Sequence, residues 1–173
     1  MDDVIVAPSI IHGLGVFATR DLSPGDTILL IDDSRVVDDE HPLRPECEEY
    51  EYHCDYLAGG KVVLMAPPER HINSSCDPNS YVRWEDGKRK VIARRAIGNG
   101  EEITYDYIID CHGGKEWGCR CGSERCRRKI VSSFFELPIE FQIEYFPLLS
   151  EWFIEEHRKL VEKLQMQMAA YQS

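Results

Sequence analysis

Ten residues, 70–79, constrain most strongly what this chain can fold into. They read RHINSSCDPN and follow a strand-like apolar run and a proline pair. Asparagine, aspartate, proline and serine favour turns, so this segment alone predicts a turn at the end of a strand. Two later segments, GEEITYDY at 100–107 and CRCGSERC at 119–126, make an ordinary turn an insufficient explanation.

The composition limits the fold and the compartment. With 173 residues and 43% hydrophobic content, the chain suits one domain with a core of its own and a small appendage. No apolar run approaches the roughly 18 residues that span a bilayer, and the acidic start MDDVIVAPS lacks the features of a signal peptide. Seven cysteines at uneven spacing are a poor disulfide framework. We therefore expect an intracellular protein in a reducing compartment, the cytoplasm or nucleus, with no membrane partner.

The net charge of −11 bears on the choice of partner. An acidic protein repels nucleic acid unless a local basic patch compensates, and only the stretches 83–95 and 120–129 are basic. Nucleic acid is therefore not expected as a direct partner. A basic polypeptide suits this charge better, although solubility alone would explain the same excess of acidic residues.

Short apolar runs separated by turn residues predict a mostly β body. The segment 4–17 holds two such runs around a Gly-x-Gly turn, and Asp86-Gly87 is a strong hairpin signal. Pro24-Gly25 predicts a type II turn. Further strands are predicted at 27–31, 61–65, 81–84 and 90–94.

Helices are predicted in three places. One lies near Glu46–Tyr56, inside a polar and otherwise irregular segment. Pro138 predicts the start of a second, because proline is tolerated in the first turn of a helix, and Phe146-Pro147 interrupts it. Apolar residues at helical spacing then predict one long helix from Leu148 to about Gln167.

Three clustered cysteines favour a bound metal over disulfides. Cys119, Cys121 and Cys126 supply three thiolates, whereas a closed structural zinc site uses four ligands. Cys111 and His112 are the nearest further ligands in the sequence, so they are candidates for the fourth.

Taken together and in this order, the three segments resemble those of the SET-domain protein-lysine methyltransferases. The family pattern of the first is close to Arg-Phe-x-Asn-His-Ser-Cys-x-Pro-Asn, from which this chain departs at His71 and Ser74. The resemblance covers roughly residues 4–130 and implies a mostly β SET-domain fold. In that fold small curved β-sheets surround a pseudoknot, in which GEEITYDY threads a loop near RHINSSCDPN. The positions that match the pattern are Arg70, Asn73, Ser75, Cys76, Pro78 and Asn79.

The resemblance and the change of character after Cys126 divide the chain into three parts. We expect a SET domain at 1–110, a post-SET zinc segment at 111–130 and a C-terminal α-helical extension at 131–173. The terminal helix from Leu148 to about Gln167 is expected to pack on the β body, and a lid over the peptide groove or a dimer face are the alternatives.

The resemblance implies S-adenosylmethionine as the cofactor. The Gly-x-Gly turn matches the one that binds the methionine end of this cofactor in the family. Ser74 stands where the family has a histidine that contacts the cofactor partly through its backbone, so we expect the backbone contact to be kept. The predicted cofactor-binding residues are Gly13, Leu14, Gly15, Asn73, Ser74 and Tyr107.

The resemblance also implies catalytic roles for two tyrosines. Tyr107 matches the catalytic tyrosine of the family, and Tyr105 matches the position where tyrosine or phenylalanine tunes the number of methyl groups added. A tyrosine at 105 predicts mainly monomethylation. The substrate amine must arrive neutral although the usual pKa of lysine is about 10.4, and a dry aromatic channel beside a cationic sulfonium lowers that pKa.

A fourth zinc ligand is likewise implied. In SET proteins with this cysteine pattern it comes from the cysteine of the Asn-His-Ser-Cys segment, which is Cys76 here. The resemblance therefore predicts Zn²⁺ held by Cys76, Cys119, Cys121 and Cys126, with Cys111 and His112 as the competing ligands.

The predicted function is an S-adenosylmethionine-dependent protein-lysine N-methyltransferase that monomethylates a lysine in a basic peptide or histone tail. One alternative is a catalytically weak SET domain that binds a peptide or cofactor without turnover, which Ser74 favours. Another is a zinc-bearing nucleic-acid adaptor, which the acidic composition disfavours.

Overall fold

The computed structural model describes residues 3–172, which form two compact units. The first unit comprises the described part of Met1–Ser74 together with Pro78–Tyr105. The second comprises Ser75–Asp77 together with the described part of Asp106–Ser173. Within residues 3–172, no helix combines the length and apolar character needed to cross a bilayer.

Short strands dominate the first unit, as its turn-rich sequence predicts. They are β1 (Val4–Pro8), β2 (Leu14–Ala18), β3 (Thr27–Leu30), β4 (Val36–Val37), β5 (Cys54–Leu57), β6 (Lys61–Leu64), β7 (Asn73–Ser74), β8 (Ser80–Glu85), β9 (Lys88–Ala93) and β10 (Glu102–Tyr105). They make three small sheets with the orders β1-β2-β10-β7, β3-β9-β8 and β4-β6-β5. The mostly β fold class is therefore confirmed.

The two turns predicted at Asp86-Gly87 and Pro24-Gly25 are present. Asp86 and Gly87 have φ of 52° and 73°, the conformation of the type I′ turn that joins β8 and β9. Gly25 has φ of 91°, and the Asp26 N–H donates to the Ser23 carbonyl at 3.0 Å, as a type II turn requires. Local turn chemistry thus determines where these strands begin and end.

β10 is held in the interior of its sheet by a partner on each side. It pairs antiparallel with β2 and parallel with β7, so that Thr104 lies opposite Asn73 and Tyr105 opposite Ser74. GEEITYDY therefore runs beside RHINSSCDPN, as the resemblance led us to expect.

Asn79 fixes β10 with one buried side chain. Its Oδ1 accepts a hydrogen bond from the Thr104 N–H at 2.8 Å, and its Nδ2 donates to the Glu102 carbonyl at 2.8 Å and to Glu101 Oε1 at 2.9 Å. The Ser80 hydroxyl adds a bond to the Thr104 carbonyl at 2.9 Å. Leaving one of these buried groups unpaired would cost about 1–3 kcal/mol, so the position of β10 is strongly determined.

The core of the first unit collects the inward-facing side chains of several strands. Val16 of β2, Val91 of β9 and Ile103 of β10 are completely buried there, together with Ile72. Full burial of each such side chain contributes about 1.5–3 kcal/mol. Tyr105 packs against the same cluster, which gives this tyrosine a rigid support.

The segment between β4 and β6 shows that one helix prediction was wrong. In place of a helix near Glu46–Tyr56 there are two single 3₁₀ turns, Pro45–Cys47 and Glu51–His53, followed by β5. Glu48 ends the first turn in the left-handed region with φ of 58°, and Tyr50 is extended with φ of −133° and ψ of 150°. A helix cannot continue through either conformation.

Glu49 supplies the physical reason for this irregular path. Its buried carboxylate accepts hydrogen bonds from Arg44 Nη2 at 2.5 Å, from Arg35 Nη2 at 2.8 Å and from the Arg44 backbone N–H at 3.0 Å. These charge-assisted bonds outweigh helix propensities of a few tenths of a kcal/mol per residue. Hydrogen bonds from Arg44 and then Arg35 lower the pKa of Glu49 from its usual 4.5 to about 2.

The second unit combines one two-stranded sheet with three helices. The sheet pairs β11 (Trp117–Gly118) with β12 (Lys129–Ile130), and the helices are α1 (Ile139–Tyr145), α2 (Glu151–Glu156) and α3 (Arg158–Tyr171). Their inner faces enclose a core that includes Ile108, Phe134, Tyr145, Phe153 and Leu164. The C-terminal helices thus pack within this unit.

Two local predictions for the helices are confirmed and one is wrong. α1 begins directly after Pro138, and a 3₁₀ turn at Phe146–Leu148 forms the expected interruption. The predicted single helix from Leu148 to Gln167 is instead divided at His157, whose φ of −109° and ψ of 27° separate α2 from α3.

Contacts with distant residues explain both ends of α2. The Asp110 carboxylate accepts hydrogen bonds from the Ser150 N–H, at 2.8 Å, and from the Ser150 hydroxyl, so it fixes the residue that precedes the helix. The His157 ring packs against Phe153 and His112, with ring centroids 4.6 and 4.9 Å apart. This packing fixes His157 in a non-helical conformation that its own sequence does not indicate.

We expect Glu49→Gln to reduce the acid sensitivity of folding. The folded-state pKa of about 2 lies below the usual 4.5, so the carboxylate stabilises the fold above about pH 4.5, and this contribution is lost as the pH falls toward 2. Urea unfolding at a series of pH values should therefore show a shallower fall in the free energy of unfolding within that window. Glu51→Gln, at an exposed neighbour, is the control and should keep the wild-type slope. If the free energy of unfolding falls with pH equally steeply in wild type and in Glu49→Gln, the stabilising role of the Arg35 and Arg44 bonds to Glu49 is contradicted.

Candidate functional site

The Gly-x-Gly turn lies where the loop after β1 enters β2, in which Leu14 pairs with Pro8 and Gly15 with Ala7. Gly13 has φ of 49°, and its carbonyl accepts a hydrogen bond from the Ser9 N–H at 2.9 Å. A Cβ atom at position 15 would lie 2.3 Å from Glu102 Oε1 and 3.0 Å from the Ser9 Cβ. The first glycine therefore suits a left-handed backbone, and the second leaves space for neighbouring side chains. Leu14, between them, is exposed.

Asn73 joins this turn to the RHINSSCDPN segment. Its Nδ2 faces three acceptors, the carbonyls of His12 at 3.2 Å and Leu14 at 2.9 Å, and Glu102 Oε1 at 2.8 Å. Because all three can only accept, the amide nitrogen has to face them and the amide oxygen points the other way. Within residues 3–172 no hydrogen-bond donor reaches that Oδ1 atom, so it can accept a bond from a ligand.

Glu102 completes the same network. Its carboxylate accepts hydrogen bonds from the Ser9 hydroxyl at 2.8 and 2.9 Å, in addition to the bond from Asn73. The loop after β1, the short strand β7 and the strand β10 are thereby tied to one carboxylate. Sequence reasoning missed Ser9 and Glu102. The period of two along a strand could have indicated Glu102, since it shares a face with Thr104, the partner of Asn73.

The other residues predicted for the cofactor and for catalysis fall in both units. Ser74 is half-buried in β7, and Tyr105 of β10 places its hydroxyl 4.0 Å from the Met65 sulfur. Both belong to the first unit. Tyr107 belongs to the second unit, where its side chain is 41% exposed although Asp106 and Ile108 on either side are completely buried.

Four cysteine sulfurs converge in the second unit. The Sγ atoms of Cys76, Cys119, Cys121 and Cys126 all lie within 4.8 Å of one another, and those of Cys76 and Cys119 are 3.7 Å apart. A tetrahedral zinc ion with Zn–S distances of about 2.3 Å requires sulfurs about 3.8 Å apart, so the four residues fit this metal.

Cys111 and His112, the competing candidates for the fourth ligand, contact other groups. The Cys111 thiol lies 3.8 Å from the Gly113 carbonyl, and His112 Nδ1 lies 3.0 Å from the Ser133 hydroxyl. Neither side chain belongs to a potential metal-binding group in the described part of the chain.

The surroundings of the four sulfurs favour the ionised form of one thiol, that of Cys121. Burial opposes ionisation of Cys121, but hydrogen bonds from the Cys76 N–H and from Ser123 outweigh it and lower its pKa to about 6. Burial raises the pKa of Cys76 and of Cys119. The Arg127 N–H also donates to the Cys76 sulfur at 3.4 Å. Backbone donors directed at sulfur atoms are the environment that metal-bound thiolates need.

Comparison with known proteins shows which family the chain resembles. A SET-domain model matches residues 13–108, which is more than half of the chain. The H3 lysine-36 specific histone-lysine N-methyltransferase of Candida albicans is 44% identical over 61 residues, covering 33% of this chain and 7% of that protein. The histone-lysine N-methyltransferase trithorax of Drosophila virilis is 31% identical over 139 residues, covering 75% and 4%. ASHH3 of Arabidopsis thaliana, also named a histone-lysine N-methyltransferase, is 30% identical over 131 residues, covering 68% and 35%.

The extent of these matches limits what they establish. The chain spans between 4% and 36% of the length of such curated relatives. A crystal structure of a Plasmodium falciparum protein, 19% identical, matches 62% of this chain and 94% of its own at a TM-score of 0.49, too low to add to the assignment. The family model does include the Gly-x-Gly turn, RHINSSCDPN and GEEITYDY in one continuous match. The chain therefore belongs to the SET-domain family.

Proposed function

We propose that this chain is an S-adenosylmethionine-dependent protein-lysine N-methyltransferase. The observation that carries the proposal is the Asn73 side chain, which hydrogen-bonds the Gly-x-Gly turn from within RHINSSCDPN. These are the two segments that the family resemblance assigns to the cofactor, and they are far apart in the sequence. The names of the relatives, histone-lysine N-methyltransferases, support the same activity.

The cofactor is proposed to bind at this turn through its methionine end. Gly13, Leu14 and Gly15 would offer backbone groups. Gly13 and Leu14 are exposed, whereas the side-chain face of Gly15 is occupied by Glu102 and Ser9. Asn73 Oδ1 faces away from its own acceptors and would accept a hydrogen bond from the cofactor ammonium. Ser74 would contribute through its backbone in β7, because its side chain is too short to replace the imidazole that the family has there.

Catalysis is proposed to depend on orientation and on the charge of the substrate amine. When bound, S-adenosylmethionine supplies a methyl group on a cationic sulfonium. A neutral lysine is the nucleophile, so desolvation and the nearby positive charge have to lower its pKa from about 10.4. The Tyr107 hydroxyl would orient the amine, with alignment supplying much of the rate.

The substrate is proposed to be a lysine in a basic peptide or histone tail. Residues 32–55 hold ten of the 31 acidic residues and only two arginines, Arg35 and Arg44. Such a segment attracts lysine- and arginine-rich chains and repels nucleic acid. A histone substrate would place the activity in the nucleus or the cytoplasm.

Zn²⁺ is proposed as a structural ion held by Cys76, Cys119, Cys121 and Cys126. All four are sulfur ligands, which a closed zinc site prefers, and their spacing suits tetrahedral coordination. We assign the last three to a post-SET segment at 111–130, between a SET domain at 1–110 and the helical extension at 131–173.

The enzyme proposal is tested with the purified chain, S-adenosylmethionine and a panel of core histones and basic peptides, with products mapped by mass spectrometry. We expect methyl-lysine from the wild type. The rate of Tyr107→Phe should be lower by a factor of about 100 or more, because the orienting hydroxyl is lost. Cofactor binding, measured by calorimetry, should change little. Tyr171→Phe, at an exposed tyrosine of α3, is the matched control and should keep the wild-type rate.

Failure of that assay is also informative. If the wild type binds S-adenosylmethionine but methylates no member of the panel, two readings are left: a substrate outside the panel, or a binding module weakened by Ser74. A gain of activity in Ser74→His would then identify the serine as the cause.

The number of methyl groups is expected to depend on Tyr105. We propose that the wild type adds mainly one methyl group, because a tyrosine hydroxyl holds a water that crowds a second methyl. Tyr105→Phe should then shift the products toward dimethyl- and trimethyl-lysine in the same mass spectra. Abundant trimethyl-lysine from the wild type would contradict this assignment.

Zinc binding is tested by metal analysis of purified variants. The wild type should contain about one zinc per chain, and Cys76→Ser should lose most of it and melt at a lower temperature, since structural zinc contributes free energy of folding. Cys111→Ser is the matched control because it removes the competing thiol, and it should keep its zinc. Full zinc content in Cys76→Ser would overturn the ligand set, and zinc loss in Cys111→Ser would point to the competing ligand.

A further inference from the structure

A buried ion pair lies next to Tyr107 in the second unit. Asp106 is 1% exposed, and its two carboxylate oxygens lie 2.9 and 2.8 Å from Nη2 and Nη1 of Arg127. Burial raises the pKa of Asp106 against the opposing effect of Arg127. A buried ion pair contributes little net stability on average, because desolvation offsets attraction. The pair therefore points to a geometric role.

Arg127 is itself attached to the cysteine cluster. It directly follows Cys126, and its backbone N–H donates to the Cys76 sulfur at 3.4 Å. Its guanidinium lies 5.5 Å from the centre of the Phe141 ring in α1, and its side chain is 9% exposed. Arg127 therefore contacts the cysteine cluster through its backbone and Asp106 through its guanidinium.

Tyr107 is held by its two neighbours. Asp106 is fixed by Arg127, and the Ile108 N–H donates to Asp106 Oδ1 at 3.2 Å. Ile108 is completely buried in the core cluster that contains Cys76 and Tyr145. The Tyr145 hydroxyl also donates to the Cys76 carbonyl, at 3.2 Å. The backbone at Tyr107 thus has one attachment through an ion pair and another through the core.

We propose that Arg127 is a positioning residue, which couples metal binding by the four cysteines to the placement of Tyr107 through its ion pair with Asp106. The catalytic meaning of that placement rests on the proposed function. When the metal is bound, the chain at Cys126 is fixed, so Arg127 holds Asp106 and the backbone that follows. When it is removed, the attachment of Arg127 loosens and Tyr107 loses one of its two fixed neighbours.

A probe at Tyr107 separates this coupling from activity. Site-specific 3-fluorotyrosine at position 107 reports its surroundings by fluorine NMR, with zinc bound and after removal of zinc by a chelator. We expect one sharp resonance in the zinc-bound protein and a shifted or broadened one after chelation. Arg127→Met should give the broadened resonance even with zinc bound. Arg127→Lys should bring back the sharp resonance only in part, because lysine has one nitrogen in place of the two that lie within 2.9 Å of the Asp106 carboxylate.

Arg125→Met is the matched control. Arg125 lies two positions earlier, its guanidinium is 4.3 Å from the same Phe141 ring, and it pairs with Glu144. This variant loses an equal charge and a similar ring contact but leaves Asp106 paired, so the Tyr107 resonance should keep its wild-type response to zinc.

A second variant protects the test against simple unfolding. Arg127→Met leaves the Asp106 carboxylate buried and unpaired, whereas the double variant Asp106→Asn/Arg127→Met removes both charges. We expect the double variant to fold and to retain its zinc while the Tyr107 resonance no longer responds to chelation. If the wild type is active, the kcat of the double variant should fall roughly 10- to 100-fold with little change in KM. The substrate amine would still bind, but it would be misaligned.

Several results would overturn the coupling. One is a wild-type resonance that is the same with and without zinc. Another is a double variant whose resonance keeps the wild-type response, and a third is an Arg125→Met resonance that changes as much as that of Arg127→Met. The NMR result does not require turnover, so an inactive protein with a metal-dependent Tyr107 signal would reject the proposed function and keep the coupling.

Discussion

The position of β10 depends on two asparagine side chains from RHINSSCDPN. Asn79 satisfies one backbone N–H and one carbonyl of that strand, and Asn73 bonds Glu102 of the same strand together with the hairpin turn. A carboxamide offers two N–H donors and a separate carbonyl acceptor on one short, uncharged side chain, whereas a hydroxyl offers a single donor. Aspartate would lack the donors, and an apolar residue would leave buried backbone groups unpaired. The order β1-β2-β10-β7, and with it the support of Tyr105, follows from this chemistry.

Those parts of the fold that depend on neighbouring residues could be predicted from the sequence. The Asp86-Gly87 hairpin, the turn at Pro24-Gly25 and the start of α1 after Pro138 each follow from the backbone preferences of two or three residues. The mostly β class follows from many such turns between short apolar runs.

The two wrong helix predictions share a different cause. Glu49 is bound by Arg35, which lies fourteen positions earlier, and Ser150 is bound by Asp110, which lies forty positions earlier. His157 leaves the helical conformation while its ring packs against Phe153 and His112. Helix periodicity describes one segment at a time, so it does not contain contacts of this range. The same limit applies to the candidate site. The resemblance selected Gly13, Gly15 and Asn73, but the Ser9–Glu102 bond that supports them joins residues 93 positions apart.

Buried arginines recur where strands and helices are absent or short. In the first unit Arg89 of β9 is 3% exposed and lies between Asp33, with Nε 2.9 Å from Oδ2, and Asp55, so it fixes both ends of the acidic segment. In the second unit Arg127 holds Asp106 beside the cysteine cluster. Hydrophobic packing is non-directional, whereas a guanidinium group binds a carboxylate in few relative orientations. The segment 32–55 and the chain around Asp106 contain little regular secondary structure. In both places the contact between arginine and aspartate therefore determines where the irregular backbone lies. The coupling proposed for Arg127 relies on this directionality, because a guanidinium and a carboxylate keep their contact in few relative orientations.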